Sequence, residues 1–224
     1  MLLYCNSHCH LHTPQEANAW QLISVDVTTE AIPAPSIGTT QFYSVGWHPW
    51  YLSEEKLHKE GLMSLASRED VKALGECGLD RLASTPLPIQ EQALMLQWHI
   101  AHELNKPMIL HVVRAWSEIL AFRKRVGDEV PMVIHGFRGN AQLAAQLLSH
   151  GFFLSFGEHF NQEAAKWVYS AGKMLLESDD SALSISQIYA NMAQALCTTI
   201  APLCSSLYEI NASLFDFSTA KSRE

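Results

Sequence analysis

The stretch Leu2-Leu3-Tyr4-Cys5-Asn6-Ser7-His8-Cys9-His10-Leu11-His12 decides how this chain is organised. An apolar run enters it, which predicts a buried strand, and two histidines leave it two residues apart. Because successive side chains of an extended strand point to opposite faces, His8 and His10 share one face and Cys9 points away from it. Neutral imidazole is a common metal ligand, so the pair indicates a metal site if later strands supply further ligands.

Seven more apolar segments follow and predict further strands. They lie at residues 20–27, 41–45, 71–74, 107–110, 132–134, 152–156 and 174–177. Helical patterns separate the later segments, and apolar strands that alternate with helices are typical of a parallel sheet covered on its faces. Eight strands predict an α/β protein with a single (β/α)8 TIM barrel. The first two crossovers lack convincing helices, so we expect both to be abbreviated.

The length and composition agree with one barrel. The chain has 224 residues, 48% of them hydrophobic and 17% charged, which is ordinary for a globular protein with one sizeable core. There is no Pro- or Gly-rich linker between two compositionally different halves, and no repeat beyond the strand–helix period. We therefore expect one barrel domain over residues 1–216 and a polar C-terminal tail over residues 217–224.

The charge balance restricts the partners of the protein. Fifteen lysines and arginines stand against 23 acidic residues, which gives a net charge of −8. A protein that grips long duplex DNA through many phosphates is usually basic, so an extended duplex interface is not expected. Any nucleic-acid substrate would be held locally, at an end or in a short single strand.

The cysteines indicate the compartment. Their number is odd, five, and no two are spaced as C-x-x-C, so neither a disulfide framework nor a zinc ribbon is predicted. Free thiols fit a reducing cytoplasm. The sequence shows no secretory leader pattern and no apolar run of 18 residues, so we expect a cytoplasmic protein that spans no membrane. No obligate protein partner is evident.

Metal-competent side chains follow the predicted strands at their carboxyl ends. They are His8, His10, Glu76, His111, His135 and Asp179, and a further histidine, His48, follows the third strand at the same end. Each has an ordinary explanation by itself, since a histidine can bond a carbonyl and a carboxylate can cap a helix. Together they would converge, because the strand–helix loops of such barrels meet at one face. Four imidazoles and two carboxylates suit two ions with a bridging carboxylate, and this mixed set would accept Zn²⁺ or Mn²⁺ more readily than Mg²⁺.

The motifs in their order resemble those of the TatD-family metal-dependent deoxyribonucleases. The matching segments are His8-Cys9-His10, Gly46-Trp47-His48-Pro49, Gly75-Glu76-Cys77-Gly78-Leu79-Asp80, His111-Val112-Val113-Arg114-Ala115, His135-Gly136-Phe137, Leu176-Glu177-Ser178-Asp179 and Asn211-Ala212-Ser213-Leu214-Phe215. The resemblance implies a TIM barrel of the amidohydrolase type and two divalent metal ions. It also implies hydrolysis of phosphodiester bonds in DNA, commonly from a single-stranded or frayed end.

The resemblance assigns roles to residues of this chain. By the family pattern, His8, His10, Glu76 and Asp179 would hold one ion, and Glu76, His111 and His135 the other. Glu76 would bridge the two ions, and Asp179 would act as general base toward the attacking water.

Four residues near the predicted mouth are candidates for substrate binding. Arg114 has a planar guanidinium that could hold a phosphate through two hydrogen bonds, and Arg138 is a second candidate of the same kind. His48 could contact the substrate or support a ligand. Trp47 could stack on a base, as could the nearby residues Trp50, Tyr51 and Trp116. These rings could instead pack over the end of the barrel.

The chain departs from the family pattern at two positions and in its loops. Asn6 and His12 stand where the family usually has aspartate, and the loops that would form the rim around a substrate are short. Two alternatives therefore remain open. The same metal centre could hydrolyse a small phosphoester or a cyclic amide, or the barrel could be a non-catalytic metal- or partner-binding module.

Overall fold

The computed structural model describes residues 3–13, 16–33, 40–53 and 57–217. Eight parallel strands form one sheet in the order of the chain. They are β1 (Tyr4–Cys9), β2 (Ala19–Asp26), β3 (Gln41–Gly46), β4 (Val71–Asp80), β5 (Met108–Val113), β6 (Met132–Ile134), β7 (Phe153–Phe156) and β8 (Met174–Leu176). The strand interiors are almost continuously buried, which explains their apolar sequences. The predicted (β/α)8 barrel is confirmed.

Seven helices of the described part of the chain cover the sheet. They are α1 (Lys59–Ala66), α2 (Leu87–Leu104), α3 (Trp116–Val126), α4 (Ala141–Ser149), α5 (Gln162–Ser170), α6 (Ile185–Ala195) and α7 (Ile200–Phe215). The described parts of the first two crossovers contain no helix, as the sequence predicted. Among the described helices, none has the length and apolar character that would let it cross a membrane.

Side chains and backbone of β1 join the segment after β8 and bring the ends of the sheet together. The backbone N–H of Asp179 donates to the carbonyl of His8 at 3.1 Å, and the Ser7 hydroxyl donates to the carbonyl of Leu176 at 2.8 Å. Asn6 adds two bonds, since it accepts from the Ser178 N–H at 2.9 Å and donates to the Ser178 hydroxyl at 2.7 Å. Asn6 therefore helps to close the barrel in this chain, because its amide serves as both donor and acceptor.

Two glycines of β4 allow it to press closely on β5. Gly75 and Gly78 have φ values of +136° and +142°, and a Cβ at either position would collide with a carbonyl of β5, from Ile109 and His111 respectively. Glycine has no Cβ, so the two backbones can approach. The register between β4 and β5 shifts between Leu74 and Cys77. Both strands run further than predicted, so Glu76 and His111 lie inside strands rather than after them.

An aromatic stack lies at the amino end of the barrel, opposite the metal-competent residues. The rings of Trp20, Phe42 and Phe217 lie 4.8–5.2 Å apart and are nearly parallel. The sequence placed Phe217 in the polar tail, but this residue is only 3% exposed and packs with the barrel. The rest of the predicted tail lies outside the described residues.

We expect Phe217→Ala to lower the free energy of unfolding by about 3 kcal/mol, the low end of the usual cost of deleting a buried aromatic ring. Urea denaturation followed by circular dichroism would measure the change. Trp167→Ala is the matched control because Trp167 is exposed on α5, and its effect should stay below about 0.5 kcal/mol. Equal effects of the two substitutions would contradict the packing role of Phe217.

Candidate metal centre

The carboxylate of Glu76 is the centre of a cluster of imidazoles. Its side chain is nearly buried, and Oε1 faces His111 Nδ1 at 2.8 Å, His135 Nε2 at 2.7 Å and His48 Nε2 at 3.1 Å. Oε2 faces His8 Nε2 at 3.2 Å. One carboxylate thus lies between nitrogens from β1, β5, the residue after β6 and the loop after β3.

A second carboxylate lies on the β1 side of this cluster. Asp179, three residues after β8, places Oδ1 3.3 Å from His10 Nε2 and 3.7 Å from His8 Nε2. His8 and His10 reach it together because they are two residues apart on the same face, as predicted. The structure therefore brings all six predicted ligands, His8, His10, Glu76, His111, His135 and Asp179, to one place.

Asp80 controls how His111 faces Glu76. Its Oδ2 lies 3.1 Å from His111 Nε2 and accepts a hydrogen bond from the indole N–H of Trp50 at 2.6 Å. When His111 donates its proton from Nε2 to Asp80, a neutral ring presents the lone pair of Nδ1 to Glu76. A lone pair and a carboxylate oxygen 2.8 Å apart repel each other unless a cation lies against both. This donor arrangement fits a metal ion.

Glu177 is a buried carboxylate beside His135. Its side chain is fully buried, and its Oε1 accepts the Gly136 N–H at 2.6 Å and lies 3.4 Å from His135 Nδ1. In the sequence analysis, no role was assigned to Glu177 or Asp80. Both stand in the quoted motifs, Glu177 two residues before Asp179 and Asp80 four residues after Glu76, and this proximity is the signal that could have identified them.

His8 supplies a further test of whether an ion fits. Both ring nitrogens are buried and have no hydrogen-bond partner among the described residues, although Nε2 points toward the two carboxylates of Glu76 and Asp179. A buried polar atom without a partner is costly, and coordination of a cation would remove that cost. Groups with the spacing of a metal site include His8 with His10 and Glu76, and His8 with His135 and Asp179.

Charge pairing sets the protonation of the cluster. Burial opposes charge on Glu76, but the nearby imidazoles of His135 and His8 hold the pKa of its carboxyl well below the usual range. Burial likewise opposes charge on His135, but Glu76 and Glu177 raise the pKa of its imidazole well above the usual value. In the metal-free protein this pairing favours the protonated form of His135, whose Nε2–H donates to Glu76.

We expect Zn²⁺ binding to release at least about one proton per chain. The reason is that the proton on His135 must leave before its nitrogen can bind a cation. The apparent affinity should therefore rise as the pH rises from about 6 to 8. Calorimetric titration in buffers of different ionisation enthalpy would measure the release. A binding enthalpy that is the same in every buffer would contradict this expectation.

The cluster opens into a cleft of about 280 Å³. His48 lines it, and because Nδ1 of His48 accepts the backbone N–H of Trp50 at 3.2 Å, a neutral ring carries its proton on Nε2, toward Glu76. Trp50 and Tyr51 also line the cleft and are 52% and 43% exposed. On the rim, His12 pairs with Asp180 at 3.2 Å.

The other predicted substrate contacts lie elsewhere. Trp47, predicted as a substrate contact, is only 2% exposed and packs in the core, so its ring is not available to stack on a base. Arg114, with φ +52°, is exposed just after β5 and is not among the described residues that line the cleft. Arg138 is exposed and lines an adjacent cleft beside Glu158.

Sequence comparison agrees with the motif pattern. A model of the family described as TatD related DNase matches residues 6–203. The uncharacterized metal-dependent hydrolase YabD of Bacillus subtilis (strain 168) is 34% identical over 121 residues, 52% of this chain and 47% of that protein. The 3'-5' ssDNA/RNA exonuclease TatD of Escherichia coli (strain K12) is 33% identical over 115 residues, 50% of this chain and 44% of that protein. The chain thus spans about half the length of these curated relatives.

Solved structures share the fold over most of the chain. The crystal structure of YjjV, a TatD homologue from Escherichia coli K12, superposes with a TM-score of 0.76 and 19% identity over 96% of this chain and 99% of that one. A dihydroorotase superposes with a TM-score of 0.63 and 12% identity, over 96% of this chain and 72% of that one. At these identities the likeness concerns the barrel alone.

Proposed function

We propose that this chain, which belongs to the TatD-related DNase family, is a metal-dependent hydrolase that cleaves phosphodiester bonds in DNA from a single-stranded or frayed end. The observation that carries the proposal is the placement of Glu76. Its two oxygens face different ligand groups, with His8 near Oε2 and His111 and His135 near Oε1. A carboxylate in this position supports two ions that it would bridge.

The residues support Zn²⁺ or Mn²⁺, since imidazoles supply most of the donors. Glu76, His8, His10 and Asp179 would hold one ion, and Glu76, His111 and His135 the other. When bound, the ions would acidify a water molecule and neutralise charge on the phosphoryl group.

The protein's own groups would move the protons. Burial opposes charge on Asp179, but a hydrogen bond from His10 and the nearby His8 lower the pKa of its carboxyl below the usual value. Asp179 is therefore ionised at neutral pH and would accept a proton from the attacking water. His48, whose Nε2 lies 3.1 Å from Glu76 Oε1, would hold this carboxylate in place through its Nε2–H.

A terminal segment fits better than a long duplex. The named exonuclease relative acts on single-stranded DNA and RNA, and Trp50 and Tyr51 give the cleft an exposed aromatic side on which a base could stack. The cleft volume of about 280 Å³ is small, and the net charge of −8 disfavours a long phosphate-binding track. We place this activity in the cytoplasm because all five cysteines are free thiols.

The test compares metal-free protein with protein reloaded with Zn²⁺ or Mn²⁺. Single-stranded DNA labelled at one end, blunt duplex of the same sequence and circular single-stranded DNA are the substrates. We expect metal-dependent, stepwise shortening of the linear single strand, slower cleavage of the duplex and none of the circle. Stoichiometric metal without any shortening of DNA would overturn the proposal and favour a non-catalytic metal- or partner-binding barrel.

One observation favours a second candidate, a small phosphodiester as the substrate. Asp26, Glu30 and Asp180 line the cleft, and no lysine or arginine is among its described lining residues. These carboxylates would repel the further phosphates of a DNA strand, whereas the charge of the single phosphate to be cleaved would be neutralised by the ions. Turnover of bis(p-nitrophenyl) phosphate, with intact DNA in the parallel assay, would support this candidate.

A further inference from the structure

Trp50 connects the surface of the cleft to a predicted metal ligand. It lies in the loop after β3, where about half of its side chain is exposed to the cleft. Its indole N–H nevertheless points inward and donates to Asp80 Oδ2 at 2.6 Å. The ring also packs edge-on against His111, with centroids 5.6 Å apart and planes at 80°.

Asp80 is the link between Trp50 and His111. Its side chain is buried, and its two oxygens divide their partners. Oδ1 accepts the backbone N–H of Leu82 at 2.7 Å, whereas Oδ2 is shared by the indole of Trp50 and Nε2 of His111. Because Oδ2 holds both groups, the position of the carboxylate fixes the plane of His111 and keeps its proton on Nε2.

We propose that Trp50 is a positioning residue of the metal centre. It acts through Asp80 to keep Nδ1 of His111 free and directed at the position beside Glu76 where an ion would bind. The proposal rests on the metal centre described above. Its physical basis is that an outer hydrogen-bond partner of a ligating histidine sets the tautomer and the orientation of the ring. Without the indole N–H, Asp80 loses one of its fixed donors and the carboxylate can rotate away from His111.

The test measures Zn²⁺ affinity by chelator competition in wild type, Trp50→Phe, Asp80→Asn and the double variant. Asp80→Asn should weaken binding by roughly 10–100-fold, as loss of such a partner typically does. Trp50→Phe keeps an aromatic ring but removes the N–H, and should weaken binding by roughly threefold to tenfold. If Trp50 acts through Asp80, the double variant should match Asp80→Asn within about a factor of two.

Trp167→Phe is the matched control, because Trp167 is similarly exposed but lies on α5. It should leave the affinity unchanged, and thermal unfolding of each metal-free variant would verify the fold. Wild-type affinity in Trp50→Phe, or losses that multiply in the double variant, would overturn the inference. So would a wild-type protein that binds no Zn²⁺.

Failure of this inference is distinguishable from failure of the proposed function. A protein that shortens DNA but whose affinity for Zn²⁺ is unaffected by Trp50→Phe would retain its function and refute the positioning role. A protein that binds Zn²⁺ in a manner dependent on Trp50 and Asp80, but cleaves no DNA, would retain the positioning role and refute the function.

Discussion

Glu76→Gln should abolish tight metal binding and reduce hydrolysis by more than the roughly 10–100-fold that loss of an outer hydrogen-bond partner costs. The reason is the position of the carboxylate, which has imidazole nitrogens 2.7–3.2 Å from its two oxygens. The glutamine amide is neutral, and an NH2 group replaces one of the two carboxylate oxygens. This group donates hydrogen bonds and cannot coordinate a cation. Elemental analysis after dialysis, together with the DNA shortening assay, would measure both losses.

Glu129→Gln is the matched control for this substitution. Glu129 also faces an imidazole, His102 Nε2, at 2.9 Å, but both groups are exposed and distant from the cluster. Such surface pairs contribute little, so metal content and activity should stay at wild-type values. If Glu76→Gln still retained two ions per chain, Glu76 would not be the bridge between them.

Asp179→Asn should lower kcat by about 10²–10⁴-fold, which is the usual contribution of a positioned general base. Asparagine is nearly isosteric and tolerates the φ of +48° at this position, and the backbone bond from residue 179 to His8 remains. The barrel should therefore stay closed while the proton acceptor is lost. Single-turnover kinetics with saturating metal would separate the chemical step from weaker metal binding.

The neighbouring residue is the control for Asp179. Asp180 is largely exposed and pairs with His12 on the rim, so Asp180→Asn should change kcat by less than about threefold. Similar losses in the two variants would indicate that negative charge at the mouth, rather than a proton acceptor at residue 179, supports the reaction.

Most of the fold could be predicted because its signal is local. All eight strands lie where apolar segments occur, and the first two crossovers are short as expected. The six metal-competent residues could be proposed for a geometric reason, since carboxyl ends of parallel strands meet at one face of a barrel. Their role as ligands stays a prediction.

What could not be predicted depends on contacts between distant segments. The local sequence predicts similar environments for Trp47 and Trp50, yet Trp47 is in the core and Trp50 is half exposed. Phe217 follows the last helix in a polar context, but its ring stacks on Trp20 and Phe42, which lie far earlier in the chain. Nothing in the local sequence distinguishes these environments.

The sequence by itself determined the order of the strands and the motif pattern of the family, because strand periodicity and motif spacing are local features of the chain. It also determined which residues follow the strands at the carboxyl end of the barrel. Only the tertiary structure decided which nitrogen of each histidine faces the cluster and which carboxylates hold the rings. Those choices depend on hydrogen bonds between strands, such as that from His111 in β5 to Asp80 at the end of β4. The approach of these two strands, which Gly75 and Gly78 permit, sets the geometry of the candidate site.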